Sequence, residues 1–424
     1  MPPPTTLARF EGTVRARVQC VSILAIDRDD EDLPDLSGAD LEPRILRAEF
    51  GNVSISFGDQ LFLKVYRRQG DGINPEEEIG RMLKDAPVPR FLGSLDMRIR
   101  RDEPRTLATL YSYVPHEGDA RSHAREELGR FFDRVLTGAR DRSPPPAPSA
   151  SLVRLSTMSP PPEVAELIGV YFETARRLGA RTAEFHLAIT GPTDDPAFTP
   201  VSFSPFDQRS SYQTARNVTG KVLRKLRVAV PHLARDTQAA AQSVLERSEQ
   251  IYGLLRPLIE KRLTAQRARH HGSLDLSKFL FTGKDFVIVD LEGDKSRAMA
   301  ERRRKRSPLR DVAAVLRSFW RTSTTVLLDP GLVRESDRAM AAPWAEAWRV
   351  WVGAAFLASY LETAWDARFI PENRNELSML LDVFVIENTL AELGCVLDEN
   401  PSRADVPLMA LIALLDAGRE AQHV

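Results

Sequence analysis

The 424 residues include only two cysteines, Cys20 and Cys395, far apart in the chain. Such a pair builds no disulfide framework, and a reducing compartment is the expectation. Long apolar runs are missing too. No stretch reaches the roughly 18 apolar residues of a membrane span, and the first ten residues carry no apolar core of signal-peptide length. A cytoplasmic protein that meets no membrane is therefore expected. Neither sign of charge is in excess: 58 Lys and Arg against 59 Asp and Glu leave a net charge of -1, which argues against a general nucleic-acid binder. There is no internal repeat and no Walker-type loop, since Gly70-Asp71-Gly72 is only a fragment of a glycine pattern. What is present is 43% hydrophobic residues, enough for a real core in a chain long enough for two lobes.

Up to residue 114 the patterning is mostly that of strands. Alternating or β-branched runs occupy 13–26, 53–57, 60–66 and 106–114, broken by Gly-Asp and Pro-bearing turns. One helix interrupts them: in Asn74-Pro75-Glu76-Glu77-Glu78-Ile79-Gly80-Arg81 a capping residue precedes a first-turn proline and early acids. Near 143–162 the chain becomes Pro/Ser-rich and is read as an exposed insertion or linker that forms no packed element. Helical periodicity follows over 164–186, 210–227, 234–263, 309–319, 345–363 and 376–393, with Pro257 kinking the end of the third. Between these helices lies one β signal, Phe286-Val287-Ile288-Val289. The pattern predicts an α+β fold of the protein-kinase-like, two-lobed kind. Its strand-rich lobe spans 44–118, its mainly helical lobe spans 119–424, and a strand-rich segment over 1–43 precedes both.

Phosphoryl transfer needs a carboxylate at the acceptor hydroxyl, oxygen ligands on magnesium and cations on the phosphates. His271-Gly272-Ser273-Leu274-Asp275-Leu276-Ser277-Lys278 has the layout of a kinase catalytic loop, and Asp290 in Asp290-Leu291-Glu292-Gly293 that of the metal-holding Asp. Lys64 is the single cation of the apolar strand Leu61-Phe62-Leu63-Lys64-Val65-Tyr66, as a phosphate-binding lysine is. Glu78 is its expected mate, with Glu76 the other candidate. Asn52 and Ser54 are candidates for a phosphate-facing turn. His271, Glu292 and Arg302 complete the expected site. Arg302 opens the run Arg302-Arg303-Arg304-Lys305-Arg306, whose neighbours Glu292, Asp294, Glu301 and Asp311 are expected to neutralise it, against a nucleic-acid role. Trp344, Trp348 and Trp351 fall at helical spacing, a stripe expected in the core rather than as a sugar platform, and His186 is expected to pack rather than bind metal.

Several of these segments together resemble bacterial maltokinase, most nearly the domain fused to trehalose synthase. They are the stretches 60–81, 270–278, 282–293 and 301–319, with Asn217 in Ser211-Tyr212-Gln213-Thr214-Ala215-Arg216-Asn217 and the tail Glu392-Leu393-Gly394-Cys395-Val396-Leu397. The resemblance runs from about residue 44 to the end. It implies an aminoglycoside-phosphotransferase-like kinase fold and the reaction of ATP with maltose to give maltose 1-phosphate, which feeds α-glucan synthesis. It further implies Lys64 on the phosphates and Asp290 on magnesium. Maltose or a related α-glucoside becomes the expected ligand, trehalose synthase a candidate partner, and residues 1–43 a remnant of the family's amino-terminal cap.

The departures matter as much. The family loop reads His-Gly-Asp-Leu(or Tyr)-His-Leu-Gly-Gln, its Asp catalytic and its Gln a metal ligand. Here Ser273 stands at the Asp, Asp275 at the His, Ser277 at the Gly and Lys278 at the Gln. A serine hydroxyl takes no proton near neutral pH without a base of its own, and losing a general base is worth roughly 10²–10⁴-fold, about 3–5 kcal/mol of barrier. Asp275 is the one possible substitute. Lys278 places a cation at a metal-ligand position, so weakened magnesium binding is expected. The expectation is a slow or inactive kinase; the alternative is a pseudokinase that binds nucleotide or glucan and partners a trehalose/maltose enzyme.

Overall fold

The computed structural model describes residues 41–48, 51–67, 72–97, 104–138, 143–146 and 150–420. The strand expected over 13–26, Cys20 and nearly all of the 1–43 segment lie outside them. The strand-rich part contains β1 (Pro43–Ala48), β2 (Asn52–Phe57), β3 (Leu61–Tyr66), α1 (Pro75–Met82), β4 (Phe91–Met97) and β5 (Arg105–Ser112). Among the described residues these strands form one antiparallel sheet in the order β1-β2-β3-β5-β4. Alternation of side chains along β3 turns Lys64 and Tyr66 to the same, buried face. Lys64 lies opposite Ser54 of β2 and Thr109 of β5, so strands flank it on both sides. The sequence pattern did not announce β1 and β4. Each carries a register shift, at Ile45/Arg47 in β1 and at Phe91/Gly93 and Leu95/Asp96 in β4, and such irregularities break the period-two signal.

α1 forms where its start signals predict. Asn74 caps it by accepting from the Glu76 amide at 3.0 Å, and Pro75 occupies the first turn, where its missing N–H is not needed.

The remainder is mainly helical: α2 (Ala120–Gly138), α3 (Leu152–Leu155), α4 (Pro162–Ile168), α5 (Tyr171–Ile189), the short strand β6 (Val201–Ser202), α6 (Pro205–Ala229), α7 (Arg235–Glu246), α8 (Ser248–Leu255) and α9 (Pro257–Glu260). After them come β7 (Gln266–Arg267), the hairpin of β8 (Phe279–Phe281) and β9 (Phe286–Ile288), α10 (Met299–Arg302), α11 (Leu309–Leu328), α12 (Arg338–Thr363), α13 (Arg374–Glu399) and α14 (Asp405–Glu420). Among the described residues no helix is long and apolar enough to cross a membrane.

Three expectations are corrected. The Pro-rich tract is not wholly exposed, because α3 forms inside it and buries Val153 and Leu155 against the helical core. The helix expected over 164–186 is two, parted at Gly169, whose φ of 58° lies in the left-handed region that glycine adopts without penalty. The helix expected over 234–263 is three, interrupted at Arg247 and again at Arg256 before Pro257.

α5, α11, α12 and α13 pack into the main core, in which Trp344, Trp348 and Trp351 are buried, as the spacing suggested. α5 and α12 approach so closely that a Cβ on Gly179 would lie 2.2 Å from the Phe356 carbonyl oxygen. Backbone cannot yield there as a side-chain tip can. Gly179→Ala should therefore lower stability by about 1–3 kcal/mol, the usual range for overpacking. Urea denaturation checks this, and an unchanged midpoint would mean the helices separate without penalty.

Candidate active site

The sheet lobe delivers one cation to the cleft. Lys64 Nζ lies 2.7 Å from Glu76 Oε2, 2.7 Å from Asp290 Oδ1 and 2.8 Å from Glu292 Oε1, with its side chain almost wholly buried. Burial disfavours the ammonium, but Asp290, Glu76 and Glu292 together outweigh it and hold the pKa well above the ordinary lysine value. Tyr66, on the same face of β3, donates to Glu76 Oε2 at 2.9 Å, and Asn52 Nδ2 donates to Glu292 Oε1 at 3.2 Å.

The mate of Lys64 is thus Glu76, not Glu78. Residues two apart on a helix point about 200° apart, so when Glu76 faces the sheet Glu78 must face away. Glu78 meets the helical lobe instead, through Arg269 at 3.0 Å and Arg303 at 2.6 Å. Asn52 and Ser54 are also relocated: both lie in β2 rather than in a turn, and their side chains line the cleft.

The helical lobe supplies the loop. Asp311, in the first turn of α11, accepts from the backbone amides of His271 at 2.7 Å and Gly272 at 2.9 Å, and its Oδ2 lies 3.1 Å from His186 Nε2. His186 in turn meets Tyr360 through Nδ1 at 2.9 Å, which makes it the packing histidine expected. Burial opposes ionisation of Asp311, yet His270, His186 and His271 hold its pKa below the ordinary carboxylate range. His271 donates from Nε2 to the Val289 carbonyl at 2.9 Å and accepts the Ser273 amide at Nδ1 at 3.3 Å, so it links the loop to the segment before Asp290. Gly272 (φ 81°) and Gly293 (φ 73°) both hold the left-handed backbone that glycine adopts without penalty, and the two segments pack side by side there. Asp290 itself has φ 64°, a strained value that Asp tolerates better than most residues and that aims its carboxylate into the cleft.

Two cavities meet this frame. One, of about 410 Å³, lies under the sheet and is lined by Asn52, Ser54, Glu76, Tyr113 and Asp290 among others. The other, of about 370 Å³, lies on the helical side beside Gly272, Ser273 and Asp275. Both fall in the range of small-molecule sites, roughly 300–1,000 Å³.

Asp275 is committed elsewhere. It caps the turn Leu276–Lys278, accepting from the Ser277 amide at 2.7 Å and hydroxyl at 2.6 Å, and it pairs with Arg121 at 2.7 Å and Arg321 at 3.1 Å. Burial opposes its charge, but Arg121 and Arg321 win and its pKa is lowered. A carboxylate so held is a weak base for an acceptor near Ser273.

Magnesium requires oxygen ligands in near-octahedral geometry. Asp290 is the carboxylate aimed for that task, but Lys64 engages one of its oxygens and Lys278 the other. Burial would raise the Asp290 pKa, yet the two ammoniums hold it well below the usual range. Lys278 offers no lone pair as a ligand. Among the described residues no group of three His, Cys, Asp or Glu side chains is placed to hold a metal ion. The residues present do not fit a two-ligand magnesium site.

The cationic run is divided among separate tasks, and its expected acids serve only in part. Arg302 donates to the Glu292 carbonyl at 3.1 Å, Arg303 pairs with Glu78, and Lys305 donates to the Thr199 carbonyl at 2.6 Å. Asp294 pairs with Arg297 at 2.9 Å, and Asp311 serves the loop rather than the run. Asp311 was the functional residue the pattern missed as such. Its signal was an acid on the apolar stripe of a helix, where an exposed face would have been the ordinary place for it.

A protein-kinase-like, two-lobed α+β fold is the class that this arrangement defines. No protein-family model matches the chain. Among solved structures it is similar to a glucosamine kinase in complex with glucosamine, ADP and inorganic phosphate, at 18% identity and TM-score 0.61, over 88% of this chain and 76% of that one. A second crystal form of glucosamine kinase matches at 18% identity and TM-score 0.60, over 88% and 77%. At this identity the likeness shows the fold.

Asp311→Ala should cost about 3 kcal/mol or more, because three buried donors lose their acceptor at roughly 1–3 kcal/mol each. Since the folded pKa of Asp311 is depressed, its contribution is present above the ordinary carboxylate range and fades as pH falls through the depressed value. Denaturant melts of both proteins at neutral and acid pH check this: the gap between them should narrow in acid, and a constant gap would refute the assignment.

Proposed function

We propose that the chain is a maltokinase-like member of the sugar-kinase fold that binds ATP but transfers its phosphoryl group slowly or not at all. The observation that carries this is Asp290 held by two ammoniums, Lys64 on one oxygen and Lys278 on the other. Lys64 is the cation for the nucleotide phosphates, and Glu76 orients it. Lys278 supplies positive charge where a ligand would have held magnesium. Nucleotide is therefore accommodated with a weakened requirement for the metal.

Transfer fails at the acceptor. Ser273 offers no carboxylate for the hydroxyl proton, and Asp275 is locked by Arg121 and Arg321. On this reading the second ligand is a maltose-related α-glucoside, and the physiological role is that of a nucleotide-binding partner to an enzyme of trehalose and maltose conversion.

Thermal melts of the purified chain with ATP, magnesium and maltose, singly and together, test the proposal when maltose 1-phosphate is assayed in the same tubes. ATP should raise the melting temperature with or without magnesium, and product should stay at background. Product formed by the wild type at a rate of roughly 1 per second or more, as ordinary kinases show, or no stabilisation by ATP, sinks the reading. Ser273→Asp with Lys278→Gln should then raise transfer by roughly 10²-fold or more; no gain would place the defect in the acceptor pocket instead.

A further inference from the structure

The helical-side cavity has an electrostatic character that a neutral sugar does not call for. Arg317 lines it from α11, is only 4% exposed, and none of its three guanidinium nitrogens makes a hydrogen bond. Its acidic contact is Glu392, 2.9 Å from Nη2 but outside hydrogen-bond geometry, and the Trp320 ring lies 4.7 Å beneath it. Arg302 also lines the cavity, with a buried Nε that makes no hydrogen bond. Arg306 lines it half-buried, and the neighbours acting on it first are other cations, Arg310 and Arg297.

The acids at this wall are mostly committed. Asp275 is held by two arginines, Asp294 by Arg297 and the Ser296 hydroxyl, and Asp311 by the loop amides. Glu301 sits exposed at the rim.

Two further buried polar atoms in the same wall lack partners, His270 Nδ1 and Asn388 Nδ2. Burial pushes the His270 pKa down to about 3, so its ring is neutral and suited to a hydroxyl. Buried polar atoms are nearly always satisfied in native proteins, and several facing one cavity mark a ligand's place. Guanidinium groups favour phosphate and carboxylate, with which they pair bidentately. Ser273 adds to the argument: a carboxylate at that position would repel an anion bound beside it, and the chain has none there.

We infer that this cavity binds an anionic sugar, its phosphate or carboxylate on Arg317 and Arg306 and its hydroxyls on His270 and Asn388. The inference rests on the proposed function and takes this cavity, beside Ser273, as the place of its second ligand. It narrows the α-glucoside of that reading to a sugar that carries an anionic group, already phosphorylated or oxidised when it is bound.

Isothermal titration of the full-length chain with α-D-glucose 1-phosphate, D-glucuronate, maltose and inorganic phosphate tests it, with ATP as a separate arm. At least one of the two anionic sugars should bind about tenfold or more tighter than maltose, more weakly as salt is added, and which of them leads identifies the anion. Arg317→Gln should remove that preference, and Arg306→Gln, at a half-buried site, gives the same reading if the first variant fails to fold. Ser273→Asp should also weaken the anionic sugar, by restoring a negative charge to the wall. Maltose binding as tightly as both anionic sugars, or an anionic preference untouched by Arg306→Gln, overturns the inference. Inorganic phosphate alone binding as well as glucose 1-phosphate overturns its sugar half. Silence in the ATP arm counts against nucleotide binding only and leaves this result standing.

Discussion

A buried ammonium with three carboxylates around it organises the cleft. Lys64 cannot stay charged away from water unless it is paired, and its three partners come from two places: Glu76 from α1, and Asp290 and Glu292 from the segment after the β8–β9 hairpin. The same contacts join the sheet to its own helix and to the helical lobe. Tyr66 and Asn52 take up further acceptor capacity on Glu76 and Glu292, so the carboxylates are not left half-satisfied. Glu78 ties α1 to the helical lobe a second time, through Arg269 and Arg303.

Around this cluster the protein-kinase-like scaffold is whole, and the proposed function has the chemistry it holds altered. Asp311 and His271 still fix the loop, and the strained Asp290 still points into the cleft. On the proposed reading, two of the four departures from the maltokinase loop pattern make the site more positive, Ser273 lacking a negative group and Lys278 adding a positive one, while the added charge of Asp275 is matched by Arg121 and Arg321. The proposed loss of a general base and of a metal ligand both rest on that shift. A cleft made more positive continues to attract phosphates. On the proposed reading it is a better place to hold anions and a poorer place to activate a hydroxyl.

Much of the fold was legible because its signals are local. The cap and proline before α1, the alternation along β3 and the apolar stripes of the long helices each depend on neighbours a few residues apart. Among the elements that escaped notice, β1 and β4 are irregular, with register shifts, while α2 and α14 are long helices whose patterning was not read. Helix breaks at Gly169 and Arg247 escaped too, because apolar periodicity continues on both sides of each, whereas the break at Arg256 falls where Pro257 was expected to kink the helix.

By itself the sequence determined which chemical groups the site would own: a strand lysine, an Asp after a short hairpin, and a loop with Ser273 and Lys278 where a base and a ligand would stand. Only the tertiary structure decided how those groups are paired. Three consecutive glutamates in α1 are interchangeable in composition, and the phase of one helix turn against Lys64 is what selected Glu76. Asp275 was available until Arg121, 154 residues away, claimed it, and Asp290 was free until two lysines did. Charge pairing acts across a few ångströms of space regardless of separation along the chain, so the protonation and freedom of every site residue had to wait for the fold.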